Sequence, residues 1–152
     1  MSESLPNYHD AELILKLYDL RREPVMREAR AYYASLPPTE ESFAAVLANP
    51  ASKENSYVRQ VVGYWEMAAS FVVHGVLDAA LAFDTLQEMY FVYGKIKPFL
   101  PMLRDKTNSP DFLINMEKFA EGTEESRARV NRVQTRIVAR FAEAPQANSQ
   151  PA

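Results

Sequence analysis

Few side chains in this sequence are placed to do chemistry, and most of them sit in one helical stretch. Glu66 follows Trp65 in a run from Val58 to Val73 that is apolar on almost every helical face. A buried carboxylate is costly unless paired, so Arg59, Lys95, Lys97 or a tyrosine hydroxyl is expected beside it. Left unpaired, it would hold its proton more tightly and could act as a general acid or base. His74 falls at the end of the same helix, beside the terminal carbonyls, where the dipole favours a protonated imidazole. It is read as a capping or packed residue, the functional alternative being a pH-sensitive latch or a base facing Asp78 or Glu88. Asp84 and Glu88 are one turn apart, and a cation or a neighbouring Arg or Lys could neutralise both.

Metal and cofactor chemistry has little to build on. The two histidines, His9 and His74, lack a carboxylate three residues earlier, no His-Glu-x-x-His run occurs, and there is no cysteine. No Ser-His-Asp arrangement or Gly-rich phosphate loop is visible either. We therefore expect no metal, no cofactor and no catalytic residue.

Binding is better served. Tyr32, Tyr33, Tyr57, Tyr64, Tyr90 and Tyr93 place phenols on the central helices, and buried hydroxyls need partners. If several converge, Tyr64, Glu66, His74 and Tyr90 would line a small-ligand pocket. At about 100° per residue, Arg129, Arg132, Arg136 and Arg140 share a stripe roughly 80° wide. Beside it runs an apolar seam of Val130, Val133, Ile137 and Phe141. That arginine face is a candidate surface for a partner helix, including a second copy of this chain. Arginine at the end of a helix that opens on Glu124 and Glu125 also matches the dipole, which needs no partner.

The elements that must hold these residues are helices. Leu13, Ile14, Leu17 and Leu20 recur at helical spacing after Asn7 and Asp10, either of which can cap. Pro24 forces a kink or restart, and Pro37-Pro38 ends the continuation. Thr39 with Glu40 and Glu41 starts a short helix that Asn49-Pro50 stops. The central helix opens near Ser52 to Ser56 and closes at His74-Gly75, with Asp78 capping the next after a sharp corner and Asp84-Thr85 offering a second start should that helix break near Phe83. Pro98 and Pro101 are read as ending regular helix, and Ser109-Pro110-Asp111 as starting a short one through Phe119. Thr123 opens the last. The sequence thus predicts an all-α, single-domain bundle of about six or seven helices over residues 1–143. A central buried helix pair lies between Ser56 and Leu103, and a disordered tail follows over 144–152.

Composition agrees. The 152 residues are 47% apolar and 24% charged, with four glycines and no Asn-Gly or Asp-Gly pair, which disfavours hairpins. A net charge of −3 gives no overall attraction to nucleic acid or to an anionic membrane. Glu66, Asp78, Asp84 and Glu88 interrupt the apolar region before it reaches the roughly 20 residues of a membrane span. The first residues lack the basic and apolar regions of a signal peptide, so a cytoplasmic protein is expected.

The run Tyr64-Trp65-Glu66-Met67-Ala68, followed by His74-Gly75-Val76-Leu77-Asp78, resembles small uncharacterised bacterial helical proteins. They share an aromatic-Glu helix, a Gly-x-Leu-Asp corner and a following helix rich in Phe and Tyr. The resemblance covers Val58 to Lys97 and implies no activity, cofactor or catalytic residue. Together these observations point to a non-enzymatic helical interaction or regulatory module that self-associates or binds a protein partner. The alternative is a small-ligand sensor using the tyrosine-lined pocket.

Overall fold

The computed structural model describes residues 4–143, so the expected tail over 144–152 lies outside the described residues. Among them are nine α-helices, no strand, and one 3₁₀ turn at Lys97–Phe99. The helices are α1 (Tyr8–Leu20), α2 (Pro24–Ser35), α3 (Glu40–Leu47), α4 (Lys53–Val73), α5 (Ala79–Thr85), α6 (Gln87–Ile96), α7 (Leu100–Lys106), α8 (Ile114–Ala120) and α9 (Glu124–Glu143).

Most boundaries follow from local chemistry. Asn7 and Asp10 form a reciprocal capping box at α1, the Asn7 side chain accepting from the Asp10 amide and the Asp10 carboxylate from the Asn7 amide. Pro24 occupies the first turn of α2, where its missing N–H costs nothing. Thr39, Ser52 and Asp78 each accept an amide from the first turn of α3, α4 and α5. Gly75, at φ +74, turns the chain out of α4. The Gly75 and Val76 amides then donate back to Val72 and Phe71, a Schellman closure that satisfies the last carbonyls.

The helix count exceeds six or seven because breaks fall inside expected segments. Leu86 leaves helical geometry, at φ −95 and ψ 52, and separates α5 from α6. Pro101 does not end helix: it sits in the first turn of α7, a position proline tolerates as well as it does in α2. Ser109-Pro110-Asp111 forms a turn, and α8 begins only at Ile114, after Leu113 in the left-handed region at φ 57.

Both expected central helices are deeply buried, but each has other main neighbours. The α4 helix packs chiefly on α2 and α8, whereas α6 packs chiefly on α9; contact between α4 and α6 themselves is smaller. Val61, Trp65, Ala68 and Ala69 of α4 join Met89, Tyr90, Val92, Tyr93 and Ile96 of α6 in one continuous core. Gly94 lets α6 and α9 approach: a Cβ there would lie 3.3 Å from Val133 Cγ1. Gly63, in contrast, lies on the exposed side of α4, where an added methyl group would meet nothing within 4 Å.

These two glycines should respond oppositely to substitution. Gly63→Ala should raise the unfolding free energy by roughly 0.5–1 kcal/mol, since it removes helix-interior backbone freedom without a clash. Gly94→Leu should lower it by about 1–3 kcal/mol through overpacking against α9. Urea denaturation of both variants measures the contrast.

Candidate functional site

Glu66 is paired, but not with a cation or a phenol as expected. Its Oε1 accepts from the Asn115 backbone amide at 2.9 Å and from Asn115 Nδ2 at 2.8 Å, and its Oε2 accepts from the Met116 amide at 2.9 Å. Asn115 and Met116 are the second and third residues of α8, whose amides a capping side chain normally satisfies. The residue in the capping position is Leu113, which has nothing to offer, so a carboxylate from α4 performs the task, aided by the helix dipole. Glu66 is a structural clasp between two helices.

The other members of the expected pocket point elsewhere. Tyr64 donates its hydroxyl to the Leu17 carbonyl, and burial pushes its pKa up to about 12. Tyr90 is fully buried and shares a hydrogen bond with Ser126 at the start of α9, and burial likewise raises its pKa. His74 is exposed at the end of α4, with no side-chain hydrogen bond to any described residue. The structure therefore does not gather Tyr64, Glu66, His74 and Tyr90 around one space. Asp84 and Glu88 also part company, because the break at Leu86 puts Asp84 on α5 and Glu88 on α6.

Glu88 instead organises a cationic site. Arg30 of α2 holds it through two parallel bonds, Nε to Oε1 at 2.7 Å and Nη2 to Oε2 at 2.6 Å, and Arg21 adds Nη1 to Oε2 at 2.8 Å. The fork geometry suits guanidinium and carboxylate, and it raises the Arg30 pKa further. Arg30 and Glu88 line a groove whose floor is α6 and whose walls are α2 and α9. One half, of about 400 Å³, is lined by Arg27, Arg30, Tyr33, Glu88, Phe91, Val92 and Arg140. The other half is lined by Gln87, Glu88, Phe91, Arg129, Val133, Arg136, Ile137 and Arg140. The expected arginine stripe thus contributes three members, whereas Arg132 is exposed and lines neither half. Arg129 is partly engaged, donating to the Phe83 carbonyl with its guanidinium 3.4 Å over the Phe83 ring. Among the described residues Arg27, Arg136 and Arg140 have no carboxylate within 4 Å.

Beneath the groove lies Lys95, only 1% exposed. Its ammonium donates to the Tyr33 carbonyl at 2.5 Å and to the Ala34 carbonyl at 3.2 Å, at the C-terminal end of α2, where the dipole favours a cation. The rings of Phe141, Tyr33 and Phe91 surround it at 4.9, 5.2 and 5.7 Å. Burial, and secondarily repulsion from Arg140, lowers its pKa from 10.5 to about 7. From sequence, Lys95 figures only as a partner for Glu66. Its helical register with Phe91 and Phe99, both packed on the core, is the available sign that it faces inward.

Residues 8–123 match DUF4760, a domain of unknown function. The chain belongs to that family. The match covers α1 to α8 and stops before α9, so the family region supplies the floor and the α2 wall of the groove while the α9 wall lies beyond it. No curated protein and no solved structure matches the chain. No described helix is long and apolar enough to cross a membrane.

Two measurements probe these assignments. Glu66→Ala should cost about 1–3 kcal/mol of stability, the loss of a cap plus unsatisfied amides, with Glu66→Gln falling between it and the wild type; chemical denaturation gives both. For Lys95 the folded pKa lies below the unfolded one, so between about pH 7 and 9 the unfolded chain binds more protons and stability rises with pH. Unfolding curves across that window, below the range near 10 where tyrosines titrate, should show this rise in the wild type and a smaller one in Lys95→Met.

Proposed function

We propose that this protein is a non-enzymatic helical interaction module that seats a protein partner in the groove between α2 and α9. One observation carries the reading: Arg27, Arg136 and Arg140 line a groove floored by Phe91, with no carboxylate of the described residues within 4 Å of any of them. Arginine and aromatic side chains are the groups from which protein interfaces draw most of their energy. Self-association belongs to the same reading, since α1 also exposes Tyr8, Leu15 and Tyr18 along one side. The small-ligand alternative has less to draw on, because Tyr64, Glu66, His74 and Tyr90 face four different surroundings. The sequence resemblance adds a bacterial origin to this proposal, and the charges at Glu66, Asp78, Asp84 and Glu88 that interrupt the apolar region are the basis for its cytoplasmic setting.

A photo-crosslinking side chain placed at Arg136, within its native cell, provides the test, with the exposed Val138 as the control position outside the groove. A discrete protein adduct should form from position 136 and not from 138, and should disappear when Arg27 and Arg140 are replaced by Glu. An adduct of twice the chain mass would identify a second copy. The absence of any groove-specific adduct would overturn the proposal.

A further inference from the structure

Resting on that reading, we propose that the partner element is a short acidic segment with one apolar side, its carboxylates on Arg27, Arg136 and Arg140 and its apolar side chains on Phe91. The groove is chemically divided in a way that fits such a segment and little else. Its walls carry five arginines, and the one carboxylate that lines it, Glu88 of α6, is already held by Arg30 and Arg21. Within the groove half-buried Phe91 of the floor, with Val92 beside it and Ile137 of the α9 wall, forms an apolar strip.

The positive field is also uncompensated from below. Lys95 faces Tyr33 of α2, Phe91 of its own helix, and Phe141 and Arg140 of α9, and no carboxylate pairs with it among the described residues. A carboxylate seated beside Arg140 would offset the positive charge there that also bears on Lys95. The three exposed arginines lie on two different helices, so a single point anion would satisfy only part of the set, whereas a segment running along α6 reaches both walls. A nucleic acid fits less well: its phosphate backbone carries no apolar side chain to set on Phe91, Val92 and Ile137, whereas an acidic peptide segment does.

The test is fluorescence anisotropy with a short labelled peptide of Glu and Leu at helical spacing, a counterpart with Gln in place of Glu, and a single-stranded oligonucleotide. The acidic peptide should bind, and the Gln counterpart should bind at least roughly tenfold more weakly, the loss expected for removing rim charge pairs. Arg136→Ala with Arg140→Ala should weaken the acidic peptide by a similar factor, with an unchanged circular dichroism spectrum because both side chains are exposed. Equal binding of the Gln peptide, tighter arginine-dependent binding of the oligonucleotide, or no binding even at low salt would each overturn the inference. A groove-specific crosslink without binding of the acidic peptide would remove this partner chemistry and leave the interaction module standing. Loss of both would remove both.

Discussion

The bundle is organised by the enclosure of α6. Seven of its ten residues are buried, yet Glu88, Tyr90, Tyr93 and Lys95 carry polar groups into or beside the interior. A polar group taken out of water must find a partner, and α6 is too short to supply one within itself. Each therefore reaches a different neighbour: Glu88 to Arg30 and Arg21, Tyr90 to Ser126, Tyr93 to Glu121, and Lys95 to the end of α2. Tyr33 adds a bond in the other direction, donating to the Val92 carbonyl at 2.7 Å. The positions of α2 and α9 about α6 follow from these demands as much as from apolar packing.

That arrangement also creates the groove. Gly94 and the Gln134 bond to its carbonyl draw α9 close along one side of α6, while Lys95 and Tyr33 draw α2 close along the other. Between the two contacts the outward edge of α6, at Phe91, stays partly open. Arginines at both walls suit such an edge, since their long apolar stems cover hydrophobic surface while the guanidinium remains in water. The same side chains that screen the core are thereby available to a partner.

What is legible in the sequence is what is decided locally. Asn7, Thr39, Ser52, Gly75 and Asp78 act within one helical turn, and each does in space what its type and position imply. The arginine stripe of α9 is visible because it obeys a single period. The break at Leu86 falls just after Asp84-Thr85, the second start that the sequence offers, whereas the other departures depend on residues distant in the chain or lack a local signal. Pro101 reads as a stop because nothing nearby signals that α7 follows the 3₁₀ turn. Ser109 does not start α8 because the cap that α8 uses comes from Glu66, 49 positions before Asn115. No pattern in the sequence joins Arg27 and Arg30 to the α9 stripe, since only the folded chain brings the two helices to the flanks of α6.

Leu113 and Glu66 together make α8 a conditional helix. Seven residues are far too few to nucleate a helix in water, and the left-handed Leu113 ahead of them carries its own conformational cost. The segment is helical because α4 presents its carboxylate and because Leu113, Met116 and Ala120 pack into the core, so its order is borrowed rather than intrinsic. Loss of that cap lowers the cost of opening this segment relative to the rest of the bundle. Tyr93 and Glu121 meet at its far end, so that opening would be felt by the buried helix itself.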